Sequence, residues 1–279
     1  MRNHCQASIL AVAVAAALAL SPVMLAQTAA RSGAAGAIRD LSGVWNQGGV
    51  RGFAPDAGAE AAEREIAAGR LPRFAFSMEE PPMQPWAVER YQANRESMAP
   101  HEPGQNERNP TLYPYCMPEG MPRVMTIGSF EVVHLPDRVY LLYERNHNVR
   151  RIYLDGRKHL EDYGPSFLGT SHGRWDGDTL VVETGNILSL DGYLWLDTFA
   201  HPFTDSLRVV ERFRRLAHDT LQVDFLFDDP GAYTKPWTGK KVYELQPPDW
   251  DITENILCVD HWQEDFLRDM KSGKPAGRP

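Results

Sequence analysis

From Val124 onward, apolar and polar residues alternate in short segments, with turn residues about every eight to twelve positions. Such alternation is typical of antiparallel strands that have one buried face and one solvated face. Pro136-Asp137 and Asn146-His147-Asn148 separate early segments, and Asp176-Gly177 predicts a two-residue hairpin turn of type I′. The sequence contains no repeating strand–helix–strand unit of about 30 residues, which argues against a parallel sheet.

The turn residues delimit a series of candidate strands. They are Phe130–Leu135, Val139–Arg145, Val149–Leu154, Gly173–Trp175, Thr179–Thr184, Leu207–Arg215, Leu221–Asp228, Trp237–Leu245 and Ile252–Cys258. An antiparallel meander of this kind closes into a barrel or folds into a sandwich. We therefore predict a mainly β protein, with a single antiparallel barrel or sandwich of eight to ten strands over residues 116–265.

Residues 31–115 follow a different pattern: residues 46–115 are the least regular part of the chain, and residues 99–115 are a loop rich in Pro, Asn and Gly. Two helices are predicted there, Ala57–Ala68 and Trp86–Arg95. We interpret the region as an irregular, partly helical N-terminal arm or lid that wraps the outside or the mouth of the barrel, with a disordered segment as the alternative. Residues 266–279 are predicted to be a flexible tail.

The N-terminus has the features of a secretory signal peptide. A short basic start precedes the apolar run Ile9–Leu20, which is too short to span a bilayer and ends near Pro22. We predict that residues 1–30 are a leader cleaved after Ala26 or Ala30, and an uncleaved membrane anchor is the alternative. The mature protein is then periplasmic or secreted and has no transmembrane segment.

Cleavage leaves two of the three cysteines, Cys116 and Cys258. An even number of cysteines in an oxidising compartment is expected to pair, so we predict one disulfide between them. The closed loop is long, and chain entropy gives it an upper limit of roughly 5 kcal/mol of stabilisation.

Composition and motifs exclude several classes of function. The net charge of -8 argues against a surface for nucleic acid or anionic membranes. The chain has no Gly-x-Ser-x-Gly elbow, Walker loop or dinucleotide fingerprint, so serine hydrolase, nucleotide and nicotinamide chemistry are not predicted. The histidines lack metal-ligand spacing and the two mature cysteines are predicted to pair, so we predict no metal and no cofactor, with a metal site assembled from distant strands as the alternative.

The hairpin over residues 207–228 carries one carboxylate on an otherwise apolar face. If Arg212 faces Asp224, the charged residues of both strands share the solvated face, and Glu211 lies on the other face. Burial raises the pKa of a carboxyl group towards the range that suits acid–base work, so Glu211 is a candidate catalytic residue. The alternative is a Glu that pairs with a buried Arg and only stabilises the barrel.

A partner for Glu211 is expected from the hairpin around Asn146-His147-Asn148. In one register Glu144 faces Arg150, and we place both inward with Leu142 because this face is slightly more apolar. Glu144 and Arg150 are therefore candidate ligand-binding residues. A buried pair that only specifies the fold is the alternative.

Asp197 lies four residues before His201 in the connector that leads into the Glu211 strand. An Asp that orients a His is a recurring arrangement in general bases, so both residues are candidate catalytic groups. The alternative is a hydrogen bond that only shapes the loop. The chain must bend near Pro202 for His201 and Glu211 to meet one pocket, since a straight path of ten residues would be too long.

Tyr233 and Trp237 offer flat apolar surfaces with a polar tip, which suits an apolar or aromatic ligand. They are candidate ligand-binding residues, and Asp229 is expected to cap the turn before them. A corner that seals one end of the barrel is the alternative for this loop.

Five segments carry a more specific resemblance. They are Cys116-Met-Pro-Glu-Gly-Met-Pro-Arg123, Arg150-Arg-Ile-Tyr-Leu-Asp-Gly-Arg157, Gly173-Arg-Trp-Asp-Gly-Asp-Thr-Leu-Val-Val-Glu-Thr184, Val209-Val-Glu-Arg-Phe213 and Asp228-Asp-Pro-Gly-Ala-Tyr-Thr-Lys-Pro-Trp237. Together they resemble a large group of uncharacterised secreted bacterial proteins over roughly residues 40–262. Leu41-Ser-Gly-Val-Trp45 is similar to the Gly-x-Trp opening of lipocalin-type barrels.

The resemblance implies a lipocalin-like barrel and supports the pairing of Cys116 with Cys258, but it implies no reaction. Members usually carry His or Tyr at the position of Thr170. Here His172 follows two residues later, and we include it among the candidate ligand-binding residues.

Three functions follow as hypotheses. The first is a secreted or periplasmic barrel that binds a small apolar or aromatic compound in its interior. The second is a cofactor-independent hydratase, isomerase or hydrolase on the same barrel, in which an interior carboxylate and a histidine at the mouth transfer protons. The third is a structural protein of the cell envelope, whose barrel interior is filled by side chains.

Overall fold

The computed structural model describes residues 39–47, 69, 71, 75–98, 118–157, 164–190 and 194–252. In this part of the chain, nine β-strands close into one barrel. The strands are β1 (Gly43–Asn46), β2 (Phe130–His134), β3 (Arg138–Tyr143), β4 (Val149–Tyr153), β5 (Thr170–Asp176), β6 (Thr179–Gly185), β7 (Arg208–Ala217), β8 (Thr220–Asp228) and β9 (Trp237–Leu245). They follow one another around the barrel in chain order, and β1 pairs with β9 to close it. The mainly β, lipocalin-like single barrel is thus confirmed, and the sandwich alternative does not apply.

The predicted strands that lie within the described residues differ from the observed ones by at most three residues at either end. β1 comes from the stretch before residue 115 and adds a strand to those predicted. The predicted helix Ala57–Ala68, nearly all of the predicted strand Ile252–Cys258, both mature cysteines, the leader and the tail lie outside the described residues.

One pair of neighbouring strands is parallel. β4 and β5 are joined at Ile152↔Ser171 and Tyr153↔His172, whereas every other neighbouring pair is antiparallel. The expectation of antiparallel pairing throughout was wrong at this one seam. The connection from β4 to β5 is a long segment instead of a hairpin, so it returns the chain to the same end of the barrel before β5 begins.

The hairpin between β5 and β6 turns one residue later than predicted. Asp176 pairs with Thr179, and the two turn residues are Gly177 and Asp178. Gly177 has φ 63°, and Asp178 is not among the residues of positive φ. Glycine at the first central position with a negative φ after it is typical of a type II′ turn, which replaces the type I′ turn expected from Asp-Gly.

The predicted face of β3 was also wrong. Arg150 lies opposite Leu141 and not opposite Glu144, and the buried side chains of β3 are Val139, Leu141 and Tyr143. Leu142 faces outward instead. The prediction failed because β3 is nearly equally apolar on both faces, so its alternation does not indicate which face is buried.

Large side chains fill the barrel interior along the described strands. Phe130 packs edge to face against Tyr243 with ring centroids 4.9 Å apart, and Phe225 stacks with Phe227. These rings and Trp45 are each at most 2% exposed. Burial of each such side chain contributes roughly 1.5–3 kcal/mol, so this core is a main source of stability.

The N-terminal arm packs against one end of the barrel. Phe76 contacts the rings of Phe225 and Phe227 at centroid distances of 4.8 and 5.0 Å. Gly239 makes this approach possible, since a Cβ there would lie 2.6 Å from that of Phe76. The backbone N–H of Lys240 donates to the carbonyl of Phe76 (2.8 Å), so the arm also pairs with the start of β9.

Helix α1 (Pro85–Met98) lies within the arm and contains the predicted helix Trp86–Arg95. Proline suits the first position because the N–H that it lacks has no partner within a helix. Ala87, Tyr91 and Asn94 recur at helical spacing, and Ala87 and Asn94 are buried. Among the described residues, no helix is both long and apolar enough to cross a membrane.

Candidate functional site

The connector between β6 and β7 contains a tight loop over residues 196–201. The N–H of Leu196 donates to the carbonyl of His201 at 2.8 Å and closes the loop. Inside it, Oδ1 of Asp197 accepts the backbone N–H groups of Phe199 (3.0 Å) and His201 (3.3 Å). Oδ2 of Asp197 lies 2.7 Å from Nδ1 of His201. One buried carboxylate therefore organises the loop and orients the imidazole.

Ala200, immediately before His201, has φ 72°, in the left-handed region. This conformation costs a residue with a side chain about 1–2 kcal/mol. Nδ2 of Asn94 donates to the carbonyl of Ala200 at 3.0 Å, so helix α1 helps to hold the strained residue. Strain that the surrounding structure maintains is often found at functional sites.

The imidazole of His201 is 6% exposed and contacts charged groups at both nitrogens. Nε2 lies 3.3 Å from Oε1 of Glu80, on the side opposite Asp197. Burial acts to lower the pKa of His201, but the carboxylates of Asp197 and Glu80 outweigh it and raise the pKa to about 9. His201 is therefore an imidazolium at neutral pH, and Nδ1 donates to Asp197.

The ring of Tyr91 stacks on His201, with centroids 4.6 Å apart and planes 2° apart. A cation on an aromatic face is stabilised most where water is excluded. Burial and the nearby carboxylate of Glu80 raise the pKa of Tyr91 to about 12, so the phenol stays neutral.

A cavity of about 180 Å³ opens beside His201, between residues 75–81 of the arm, its helix α1, the connector and the start of β9. Its apolar walls are Met78, Tyr91, Phe199 and Trp237, and its polar lining includes Glu79, Glu80, Arg95, Asp197 and His201. We call it the His201 pocket. The indole N–H of Trp237 is buried and has no acceptor among the described residues.

The loop before Trp237 fixes the connector in place. The carboxylate of Asp229 accepts the backbone N–H of Thr204 (2.7 Å) and its hydroxyl (2.6 Å), and it also accepts the N–H of Gly231 (3.1 Å). The hydroxyl of Tyr233 donates to the carbonyl of Pro202 at 2.8 Å. Asp229 thus caps the turn as expected, and the loop forms a corner in which Tyr233 supports the segment after His201.

A second polar cluster lies inside the barrel. Nη1 of Arg150 donates to Oε1 of Glu211 at 2.9 Å, and Nη2 donates to the other carboxylate oxygen. Arg150 also donates to Thr184 (2.8 Å) and to Ser171 (3.0 Å). Glu211 is 0% and Arg150 1% exposed, so the face predicted for Glu211 and its partner are confirmed.

Register around this pair follows the prediction closely. Arg212 lies opposite Asp224, Arg208 opposite Asp228 and Arg214 opposite Gln222. The apolar face of β7 and β8 points inward around Glu211. Because the donors of Arg150 are satisfied within the barrel, the cluster has the properties of a buried structural pair.

The structure brings His201, Asp197 and Trp237 together at the His201 pocket, whose lining includes neither Glu211 nor Arg150. Glu144 is half-buried, and Oε2 of its carboxylate accepts the N–H of Ser129 at 3.1 Å. His172 lies on β5, where its ring is 6.1 Å from that of Tyr153. These two candidates are therefore separate from the pocket.

Four residues of the pocket lining, Glu80, Tyr91, Arg95 and Phe199, are not among the candidates predicted from the sequence. Tyr91 has a sequence signal, because its spacing from Ala87 and Asn94 places it on the inward face of the helix. Glu80 and Phe199 lie in irregular segments, where no periodicity indicates which way a side chain points. Arg95 is the last residue of the predicted helix, and its charge alone gave no reason to select it.

The described residues contain no group of three or more His, Cys, Asp or Glu side chains that are arranged to hold a metal ion. The chain matches no protein-family model, no curated protein and no solved structure.

Proposed function

We propose that this protein binds a small aromatic or apolar compound in the His201 pocket. The observation that carries the proposal is the combination of aromatic walls with one rigidly held cation in a cavity of about 180 Å³. Ligand sites are typically concave and apolar, with a few fixed polar groups that orient the ligand. Tyr91, Phe199 and Trp237 supply the apolar surface, and His201 supplies the oriented group.

The pocket at the mouth is favoured over the barrel interior, where the first hypothesis placed the ligand. Phe130, Tyr143, Phe225 and Tyr243 occupy the interior and contact one another or their neighbours. The polar groups of Arg150 are already satisfied there. A ligand inside the described part of the barrel would have to displace this core.

The test is a screen of one-ring aromatic fragments by saturation-transfer NMR on the mature protein. Ser77→Phe places a ring in the His201 pocket, and Ser206→Phe places one in the outer groove at the start of β7 as a matched control. We expect fragments to bind the wild type and Ser206→Phe but not Ser77→Phe. Loss of binding in Ser206→Phe alone would contradict the proposed site, and no binding to any of the three proteins would favour a structural role.

Proton transfer on the bound compound is a second candidate function. The 2.7 Å contact between Asp197 and Nδ1 of His201 favours proton transfer. With Nδ1 bound to Asp197, Nε2 is the nitrogen that can exchange a proton with a ligand, as in enzymes that use an Asp–His pair. His201 is charged at neutral pH, so it would act first as a general acid. Asp197→Asn separates the two functions. If the protein is an enzyme, the wild type exchanges protons between ligand and D₂O, and the variant loses this exchange but retains binding. If the protein only binds the ligand, neither the wild type nor the variant shows exchange.

We also propose that the mature protein is periplasmic or secreted and carries a Cys116–Cys258 disulfide. The support is the leader pattern of residues 1–30 and the even cysteine count that remains after cleavage. Mass spectrometry of the non-reduced mature protein should give a peptide that links the two cysteines. Two alkylatable thiols would contradict the disulfide.

A further inference from the structure

The ring N–H groups of His201 and Trp237 are satisfied to different degrees. Trp237 is 8% exposed, and its indole N–H has no acceptor among the described residues. Nε2 of His201 has the carboxylate of Glu80 at 3.3 Å. Buried donors in native proteins are nearly always satisfied, by protein, water or ligand. At His201 the acceptor is an exposed side chain of the pocket lining, so a ligand that carries a hydrogen-bond acceptor can take its place at Nε2.

The two carboxylates at His201 are held very differently. The side chain of Asp197 is 3% exposed and that of Glu80 is 59% exposed. Asp197 also accepts two backbone N–H groups of its own loop. An exposed ion pair adds little stability, so Glu80 can leave Nε2 at small cost while Asp197 stays.

We propose that the ligand is a small planar carboxylate, and that its carboxylate group replaces that of Glu80 at Nε2 of His201. The inference rests on the proposed function and specifies its ligand class. The exchange leaves the net charge of the pocket unchanged, because one carboxylate leaves as another enters. His201 keeps two carboxylate partners, and Arg95 supplies a second positive charge at the same pocket.

The size of the pocket suits a ligand of about one ring. A cavity of about 150 Å³ in another protein holds benzene. The His201 pocket measures about 180 Å³, which is below the roughly 300–1,000 Å³ of sites for larger compounds. Tyr91, Phe199 and Trp237 favour a flat ring over a flexible chain, since aromatic side chains pack well against planar groups.

The experiment compares acids with their neutral amides, using benzoate with benzamide and 2-furoate with 2-furamide. Affinities are measured by NMR titration at pH 7 on the wild type, Glu80→Gln and Glu89→Gln. Glu89 is an exposed carboxylate of helix α1 outside the pocket and serves as the matched control. We expect each acid to bind the wild type at least tenfold more tightly than its amide.

Glu80→Gln should raise the affinity for both acids at least threefold, because it removes the competing carboxylate, and should leave the amides unchanged. Glu89→Gln should match the wild type for all four compounds. Thermal unfolding of each variant verifies that it is folded.

Equal affinities for acids and amides would overturn the carboxylate exchange and leave the proposed function in place. The same holds if Glu80→Gln binds the acids no more tightly than Glu89→Gln does. If none of the four compounds binds any of the proteins, the proposed function itself is overturned. The two claims therefore fail by different results.

Discussion

Tyr91 and His201 stack almost in parallel, with ring planes 2° apart and centroids separated by 4.6 Å. One ring comes from helix α1 and the other from the β6–β7 connector, so the contact joins two segments that are distant in sequence. A desolvated cation–π contact contributes up to about 2 kcal/mol. The stack therefore helps to hold the arm at the site.

Removal of this ring should reduce stability in a pH-dependent way. We expect Tyr91→Leu to lower the free energy of unfolding by about 1–2 kcal/mol at pH 7 and by less at pH 10, where His201 is neutral. Tyr91→Phe keeps the ring and should stay close to the wild type. Urea unfolding at both pH values measures the effect. An equal loss of unfolding free energy at both pH values would show that the charge of His201 does not contribute to the stack.

The protonation of His201 should itself contribute to stability. Its pKa is about 9 in the folded protein, above the ordinary value of 6.5. The folded state therefore holds the proton more tightly, and this stabilisation is complete below pH 6.5 and is lost as the pH rises through 9. A shift of this size corresponds to about 3 kcal/mol.

We expect the difference in unfolding free energy between wild type and His201→Gln to decrease by an amount of this order between pH 6.5 and pH 9.5. His218→Gln, at an exposed position, should show no such change. A wild-type curve that runs parallel to that of His201→Gln across this range would contradict the assignment.

The pair inside the barrel should behave as a structural unit. Glu211→Ala leaves the guanidinium of Arg150 buried without its counterion and should cost about 3–5 kcal/mol. The double variant Arg150→Met with Glu211→Leu should cost less than Glu211→Ala, because no charge remains buried. Arg212→Ala, on the exposed face of the same strand, should cost at most about 1 kcal/mol. Chemical denaturation compares the three, and a double variant that is the least stable would contradict this role.

The strained loop residue gives a prediction of opposite sign. Ala200 has φ 72°, which glycine adopts without the steric cost of a Cβ. We expect Ala200→Gly to leave stability unchanged or to raise it by up to about 1 kcal/mol, whereas Ala200→Val should lower it by more than 1 kcal/mol. Thermal unfolding of the two variants tests this prediction. A marked loss of stability in Ala200→Gly would mean that the loop is not under strain.

The barrel was predictable wherever hydrophobic alternation was clear. In β7 and β8 one face carries charged residues, and the other carries Val, Phe and the single Glu211. The buried face, the strand register and the pairing of Glu211 with Arg150 could therefore be predicted. β3 reads Arg-Val-Tyr-Leu-Leu-Tyr and is apolar on both faces, so its orientation was assigned incorrectly. The parallel β4–β5 seam follows from tertiary packing and has no local signal.

The site was predictable only in part for a related reason. Asp197 and His201 are close in sequence, so their contact could be expected from spacing alone. Glu80 and Tyr91 come from the arm, more than 100 residues away from His201. Side-chain directions in irregular segments follow from backbone hydrogen bonds such as that from Lys240 to Phe76, which composition does not reveal.

The most direct test of a ligand site at His201 is an NMR titration of protein labelled with ¹⁵N in its histidine rings. The ring signals of His201 are assigned by their loss in His201→Gln, and those of the exposed His218 serve as the internal control. Benzoate should shift the His201 signals in a saturable manner and leave those of His218 in place. Saturable binding of benzoate that leaves the His201 signals unmoved would contradict the site.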